Sequence, residues 1–277
     1  MRLQEFEIGR SLGKGTYSQV VAARKHHSKY PVALKIISKE MLNLIEEKEI
    51  SESENPDMRT SIYDQLKREI AIQSKLSHPN ILKFFGHFEN EISHCLILEY
   101  CPGVTLYNHC FGKRLPEREV VKCISHVSKA LQYCHSLRVM HRDIKLENLM
   151  MEAHGTIKLI DFGFAVEAGD EPQQTLCGTI EYMAPEILTG RGYGKEVDYW
   201  ATGILGYELL VGSSPFKGTL QEIYDEMMKQ KIHWPAGIDH RAQDIIAGLL
   251  KVDPMNRLSF DSILEHPLLS TVDEILT

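Results

Sequence analysis

The sequence contains no apolar run long enough to cross a bilayer. Its longest apolar stretches, such as the one from Ile204 to Val211, are interrupted by Gly206, Tyr207 and Glu208. A membrane-spanning helix needs about 20 predominantly apolar residues. The first residues also lack the pattern of a signal peptide. We therefore expect a soluble protein.

Cysteine pairs and positive charge are scarce as well. The six cysteines, at positions 95, 101, 110, 123, 134 and 177, include no CxxC pair. Scattered cysteines are typical of reduced thiols inside an intracellular protein, and they do not indicate zinc. The chain has 31 Lys and Arg against 38 Asp and Glu, a formal charge of −7. Nucleic-acid binding depends on basic surfaces, so we expect no nucleic-acid partner and an acidic surface suited to basic peptides.

Two short motifs combine a base, a cation and metal ligands. The first runs from His141 to Asn148 and includes Asp143 and Lys145, and the second is Asp161-Phe162-Gly163. In phosphoryl transfer an Asp accepts the hydroxyl proton, a Lys neutralises the migrating phosphate, and an Asn and a second Asp bind magnesium. Either motif alone could be a surface ion pair or a chance turn. Their order and spacing together predict an enzyme that uses ATP and Mg²⁺.

A glycine-rich hairpin near the start of the chain supports the same interpretation. Gly13 and Gly15 lie between two apolar runs and would let the backbone approach phosphate groups, while Leu12 and Val20 would cover a purine. Ser18 stands where the third glycine of this pattern belongs, so an ordinary hairpin turn is the alternative. A Rossmann fold is disfavoured, because the segment after the glycines continues as a strand and opens no helix.

The next strand carries a candidate phosphate-binding lysine. Lys35 ends the run that begins at Val32 and could reach the α- and β-phosphates if a carboxylate holds it. Glu69 is the candidate carboxylate. It lies in a segment from Gln65 to Leu76 whose apolar residues repeat at helical spacing. We therefore predict a Lys35–Glu69 ion pair.

At this point the chain resembles the eukaryotic serine/threonine protein kinases from Phe6 to Leu269, and within them the Aurora kinase family. The strings that carry the resemblance are Gln73–Ile81, Leu96–Tyr100, Tyr133–Ser136, Thr175–Thr179 and Tyr207–Gly212. It implies an α+β, two-lobed fold: a small, mainly β N-lobe (residues 1–100) with one regulatory helix, and a larger, mainly α C-lobe (residues 101–277). A basophilic kinase of another branch and a pseudokinase scaffold are the alternatives.

The resemblance also implies how a nucleotide binds. Backbone groups of Glu99 and Cys101 would face the adenine edge, Leu98 would be the gatekeeper, and Ala33 and Met150 would sandwich the ring. Plain core packing is the alternative role for these apolar residues, because nucleotide pockets and cores use the same side chains.

Substrate preference is implied by other residues. Lys145 is the mark of a serine/threonine enzyme, and Glu147 and Glu208 stand where basophilic kinases bind an arginine two residues before the phosphoacceptor. A bidentate carboxylate–guanidinium pair supplies both charge and direction. The alternative is that Glu147 caps its loop and Glu208 pairs within a helix. Phe164 implies a preference for serine over threonine.

The resemblance places the activation segment at residues 161–186. Thr175 aligns with the activating phosphothreonine, and Arg142 and Arg68 would neutralise its phosphate. Auroras precede this threonine with basic residues, whereas this chain has Pro172-Gln173-Gln174. We therefore expect poor self-activation.

Three structural roles complete these expectations. Glu186 is predicted to anchor the segment through Arg257. The resemblance implies that His141 packs under Phe162 and does not act as a base. Residues 40–64 are an acidic, proline-containing insert, expected to be a mobile loop, with a docking surface for a basic partner as the alternative.

The Aurora resemblance also implies a cellular setting. It suggests a monomeric catalytic domain that acts on proteins in mitosis and chromosome segregation. The implied location is nuclear or cytoplasmic, at the spindle or centrosome. An Aurora-type activator or scaffold peptide would bind the N-lobe.

Overall fold

The computed structural model describes residues 2–52, 61–169, 171–175 and 177–269, and the side chains of residues 49–52 are not part of this description. The chain forms two compact units. The first comprises residues up to Ser77 together with Leu82–Pro102, and the second comprises His78–Ile81 and the residues from Gly103 onward. The division falls after Pro102, two residues beyond the boundary drawn from the sequence, and residues 78–81 belong with the second unit.

Strands dominate the described part of the first unit. They form one antiparallel sheet in the order β1-β2-β3-β5-β4. Their bounds are β1 Phe6–Lys14, β2 Ser18–Lys25, β3 Pro31–Ser38, β4 Phe84–Glu89 and β5 Ser93–Glu99. One face buries Val21, Leu34, Cys95 and Ile97, and the ring of Phe6 stacks on Phe88 at 5.9 Å.

The prediction of a mobile loop over residues 40–64 is wrong for much of that segment. Lys39–Glu52 forms helix α1. Leu42 is fully buried, Ser38 Oγ accepts a hydrogen bond from the backbone N–H of Met41 at 3.3 Å, and the Tyr63 hydroxyl donates to Asn43 Oδ1 at 2.7 Å. The many acidic residues of this segment favoured a loop, and the contacts that accompany the helix were not apparent from the sequence. Residues 53–60 lie outside the described residues.

The predicted regulatory helix is α2, Ile62–Gln73. Ser61 caps its start, because the Ser61 side chain accepts a hydrogen bond from the backbone N–H of Tyr63. Leu66 and Ile72 face inward and are buried, as is Glu69. The helix therefore presents a carboxylate on the face that it buries.

Helices dominate the described part of the second unit. Their bounds are α3 Leu106–Cys110, α4 Glu117–Ser136, α5 Pro185–Leu188, α6 Glu196–Val211, α7 Leu220–Lys229, α8 His240–Leu249 and α9 Phe260–Leu264. Helix α6 is buried over most of its length and packs against α4 and α8. Gly212 ends it with φ 85, a left-handed conformation that glycine adopts without strain. The predicted α+β fold is confirmed.

Short strands of the second unit hold the two predicted motifs. Strand β6 (Gly103–Thr105) pairs with β8 (Leu149–Glu152), which pairs with β9 (Ile157–Leu159). Strand β7 (Val139–Met140) pairs with β10 (Val166–Glu167). The loop from His141 to Asn148 thus runs between β7 and β8, and Asp161 follows β9. Among the described residues, no helix has both the length and the apolar character to cross a membrane.

Candidate active site

The loop from His141 to Asn148 is fixed to helix α6 by one buried carboxylate. Asp198 accepts hydrogen bonds from the backbone N–H of His141 at 3.0 Å and from that of Arg142 at 2.8 Å. The His135 ring donates from Nε2 to the same carboxylate at 2.7 Å. Burial opposes ionisation of Asp198, but these hydrogen bonds and the nearby histidines hold its pKa below the usual value. The loop therefore rests on an ionised side chain.

Arg142 adopts a left-handed backbone conformation with φ 66. This region is strained for a residue other than glycine, and such strain persists where surrounding contacts fix it. Here the bond to Asp198 fixes the backbone, while the guanidinium donates to the carbonyl of Phe164 at 2.9 Å and to the Tyr193 hydroxyl at 2.9 Å. The strained position holds the next residue, Asp143, in place.

His141 has the structural role that the sequence predicted. Its ring packs edge-to-face on Phe162 with centroids 4.9 Å apart. Its Nε2 donates to the carbonyl of Asp161 at 2.6 Å, and its Nδ1 accepts from the backbone N–H of Asp143 at 3.3 Å. Burial lowers its pKa, and its two ring nitrogens join the two motifs through these hydrogen bonds.

The Asp143 carboxylate is the centre of the site and is only 7% exposed. Its Oδ2 accepts from Asn148 Nδ2 at 2.7 Å and lies 2.9 Å from Lys145 Nζ. Its Oδ1 accepts from the Thr179 hydroxyl at 3.2 Å, and Lys145 donates to that hydroxyl oxygen at 2.9 Å. The carboxylate is thus held on both oxygens in a geometry suited to receive a hydroxyl proton.

Asn148 and Asp161 are brought together by the pairing of β8 with β9. The backbone N–H of Ile160 donates to the carbonyl of Asn148 at 3.0 Å. Asn148 uses Nδ2 for Asp143, which directs its oxygen elsewhere, and Asp161 Oδ1 accepts from Gly163 at 3.0 Å. Magnesium prefers oxygen ligands and commonly takes one or two from the protein and others from phosphate groups. This pair fits that ion.

Within the described residues, no group of three His, Cys, Asp or Glu side chains is placed to hold a metal by itself. A two-residue oxygen site therefore needs further ligands from water or from a bound phosphate.

In the first unit, Lys35 and Glu69 form the predicted ion pair. Lys35 Nζ lies 2.7 Å from Glu69 Oε1, and the two side chains are 15% and 8% exposed. Strand β3 supplies the lysine and α2 supplies the carboxylate. The pair connects the regulatory helix to the sheet.

The glycine-rich segment forms the turn of the β1–β2 hairpin. Gly13 pairs with Val20, and the N–H of Gly15 donates to the carbonyl of Ser18 at 2.7 Å. A Cβ on Gly15 would lie 2.9 Å from Ser18 Oγ, whereas a Cβ on Gly13 would meet no atom within 4 Å. A side chain at position 15 would therefore need the Ser18 hydroxyl to turn away, whereas position 13 has open space. Leu12 is exposed beside the turn.

The other candidate nucleotide-binding residues lie on strands, except for Cys101, which follows one. Ala33 and Leu98 pair across β3 and β5, and both are buried. Glu99 ends β5, with its N–H donating to the carbonyl of Lys83 at 2.8 Å, and Cys101 follows it. In the second unit, Met150 lies half-buried on β8, opposite Thr105.

The two candidate arginine-binding carboxylates lie in the second unit. Glu147 is exposed, and Glu208 is half-buried on α6 and accepts a hydrogen bond from the Tyr182 hydroxyl. Burial raises the pKa of Glu208, and the charges of Glu147 and Glu181 raise it further. Glu208 is thus held by a residue outside its own helix, and three acidic groups share one region.

The C-terminal end of the activation segment is held by the predicted ion pair between Glu186 and Arg257. Arg257 donates to both carboxylate oxygens of Glu186, at 2.6 and 2.7 Å, and the Arg257 side chain is fully buried. Arg257 also donates to the carbonyls of Glu196, Lys251 and Val252. Its guanidinium lies 5.2 Å from the ring centre of Trp200. This bidentate pair confirms the predicted contact.

Sequence reasoning missed several residues at this site. Thr179 was assigned to the activation segment without a role, and Asp198, Tyr182 and Tyr193 were not considered. A signal existed for Asp198, since it is a charged residue among the apolar residues Val197, Tyr199 and Trp200 near the start of α6. The roles of Thr179 and Tyr193 depend on contacts with residues far away in the sequence, and local patterns do not show these.

Comparison with known proteins shows the family to which the chain belongs. The protein kinase domain family matches residues 6–269, so the chain belongs to the protein kinase family. It is similar to the Aurora kinases in particular. Aurora kinase A-B of Xenopus laevis is 40% identical over 267 residues, Aurora kinase B of Mus musculus 39% and Aurora kinase C of Mus musculus 38%.

The aligned region covers 96% of this chain in all three comparisons. It covers 62% of the Xenopus protein, 73% of mouse Aurora kinase B and 91% of mouse Aurora kinase C. The chain thus spans less than two thirds of the Xenopus relative.

Proposed function

We propose that this protein is an Aurora-like serine/threonine protein kinase that transfers the γ-phosphoryl group of ATP to protein hydroxyl groups. The arrangement around Asp143 carries this proposal. A buried carboxylate held by Asn148, Lys145 and Thr179 is suited to accept a proton from an incoming hydroxyl. A pseudokinase would not need these groups together.

Each residue of the second-unit site has a distinct role in this proposal. Asp143 orients the substrate hydroxyl and accepts its proton. Lys145, 2.9 Å from that carboxylate, neutralises negative charge that develops on the transferred group. Asn148 and Asp161 would hold Mg²⁺, which supplies charge neutralisation on the phosphates when bound.

The first unit supplies the proposed nucleotide contacts. Lys35, held by Glu69, binds the α- and β-phosphates, and the glycine-rich turn approaches the phosphates by its backbone. Its proposed purine contacts are Leu12, Val20, Ala33, Leu98, Glu99 and Cys101.

The likeness to Aurora kinases extends the proposal to a cellular role. Protein substrates, action in mitosis and a location at the spindle or centrosome follow from this likeness. An activator or scaffold peptide binding the first unit, and a monomeric catalytic domain, belong to the same proposal.

We propose that Glu147 and Glu208 bind an arginine two residues before the phosphoacceptor. The Tyr182 hydroxyl orients Glu208, and the shared negative charge of Glu147 and Glu181 attracts a guanidinium. A bound arginine would stabilise the ionised form of Glu208, whose pKa is raised in its absence.

Replacing that arginine of a peptide substrate by alanine should lower kcat/KM about 10- to 100-fold, because a charged hydrogen-bonded pair is worth about 1.5–3 kcal/mol. Steady-state kinetics with matched Arg, Lys and Ala peptides test this. Lys should fall between the other two, since it lacks the bidentate geometry. Equal efficiencies, or a Glu208→Gln enzyme that still discriminates, would refute the assignment.

Thr175 should be phosphorylated slowly by the enzyme itself. The preceding Pro172-Gln173-Gln174 offers no arginine to Glu147 and Glu208, and the carbonyl of Thr175 is already bonded to Tyr193 at 2.7 Å. Phosphatase-treated enzyme incubated with ATP and magnesium is followed by mass spectrometry. Rapid stoichiometric phosphate on Thr175 would contradict this, as would a Gln173→Arg, Gln174→Arg variant that gains no speed.

A further inference from the structure

The hydroxyl of Tyr193 forms hydrogen bonds with two parts of the chain. One is the loop from His141 to Asn148, called the catalytic loop below, and the other is the activation segment. The hydroxyl accepts a hydrogen bond from Arg142 Nη1 at 2.9 Å and donates one to the carbonyl of Thr175 at 2.7 Å. The Tyr193 side chain is buried, with only 4% of the residue exposed. One phenol therefore links the arginine that precedes Asp143 to the backbone of the predicted phosphosite.

Neighbouring contacts support the same link. Tyr193 and Gln173 exchange two backbone hydrogen bonds, at 3.0 and 2.9 Å. Gly178 approaches the loop so closely that a Cβ there would lie 2.7 Å from the carbonyl oxygen of Arg142. The Arg142 side chain also binds the carbonyl of Phe164. The activation segment thus contacts the catalytic loop at Phe164, near the start of the segment, and again at Gly178, beside Thr179.

The phenol is suited to this double role because it stays protonated. Burial raises the pKa of Tyr193 to about 12, although the Arg142 charge acts in the opposite direction. A protonated phenol accepts one hydrogen bond and donates another at the same time.

A phosphate on an activation segment orders it by forming charge-assisted hydrogen bonds with arginine side chains. In this chain Arg142 already has the neutral oxygens of Tyr193 and Phe164 as acceptors. The segment is therefore tied to Arg142 through the backbone of Thr175, and the exposed Thr175 side chain takes no part in that bond.

We infer that Tyr193 is a positioning residue that orders the activation segment on the catalytic loop, so that the enzyme is active without a phosphate on Thr175. This inference rests on the proposed kinase activity. It assigns to a fixed tyrosine the ordering that a regulated phosphate provides elsewhere, and it explains how the segment can be ordered although its own sequence disfavours self-phosphorylation.

The test compares three variants, all treated with phosphatase. Thr175→Ala should keep kcat/KM for a serine peptide within about twofold of the wild type, since it retains the backbone carbonyl. Tyr193→Phe should lower kcat/KM about tenfold or more, the size expected for losing a hydrogen bond to a charged group. Tyr207→Phe is the matched control. It also removes a buried phenol hydroxyl, one that donates to the carbonyl of His233 at 2.5 Å, and should leave activity unchanged.

Amide hydrogen exchange over Cys177–Tyr182 provides a readout that does not depend on catalysis. Exchange there should become faster in Tyr193→Phe and stay unchanged in Tyr207→Phe. Unchanged exchange and activity in Tyr193→Phe, or an inactive Thr175→Ala enzyme beside an active phosphorylated wild type, would overturn the inference. If the wild type phosphorylates no peptide under any condition, the proposed function fails, while the exchange comparison still decides the role of Tyr193.

Discussion

Asp143→Asn should lower kcat for peptide phosphorylation about 10²–10⁴-fold, the range for losing a positioned general base. The amide has nearly the shape of the carboxylate, so the contacts with Asn148, Lys145 and Thr179 can be replaced in part and the fold should persist. What is lost is the ability to accept a proton. Asp161→Asn should have a similarly large effect, because it weakens a proposed magnesium ligand.

Steady-state kinetics on purified, folded protein measure these effects. Asp239→Asn is a matched control, because it makes the same chemical change at the N-cap of α8, where Asn is an equally good cap. It should leave both kcat and thermal stability nearly unchanged. A folded Asp143→Asn enzyme with near wild-type turnover would show that the base is assigned to the wrong residue.

Arg257→Met should destabilise the protein by about 3–5 kcal/mol, because it leaves the buried Glu186 carboxylate without its partner. Arg257 binds that carboxylate through its two terminal nitrogens, Nη1 and Nη2, and also donates hydrogen bonds to three backbone carbonyls. An unpaired charge in such a site keeps its desolvation penalty and loses the attraction that offset it. Chemical denaturation followed by circular dichroism measures the change.

The double variant Glu186→Leu, Arg257→Met distinguishes an unpaired charge from a general packing defect. It should be more stable than Arg257→Met alone, since it removes the stranded carboxylate. Arg24→Met breaks the exposed pair with Glu7 and should change unfolding little. The account of the anchor is wrong if Arg257→Met is as mild as Arg24→Met.

The sequence was most informative where function requires particular residues at fixed spacing. The motifs containing Asp143 and Asp161 lie on loops at the ends of short strands, and the contacts of His141 and the Glu186–Arg257 pair agree with their predicted roles. The apolar run that begins at Val32 also predicted the strand that carries Lys35. The motif positions and the strand follow from the residues themselves, whereas the roles of His141 and of the Glu186–Arg257 pair came from the family resemblance.

Prediction failed where charge content and long-range contacts decided the structure. The acidic residues between Lys39 and Asp64 favoured a loop, but burial of Leu42 and the bond between Tyr63 and Asn43 accompany a helix over Lys39–Glu52. Tyr193 binds Arg142 across 51 positions of sequence, and no periodic pattern connects the two. Such contacts depend on the folded chain.

The most direct test of the proposed function is phosphorylation of a peptide library by the wild-type protein with ATP and magnesium. We predict phosphate on serine, and less on threonine, in peptides with arginine two residues before the acceptor, and none when magnesium is chelated. Phosphate on tyrosine, no preference for arginine, or no phosphopeptide from a folded enzyme would contradict the account.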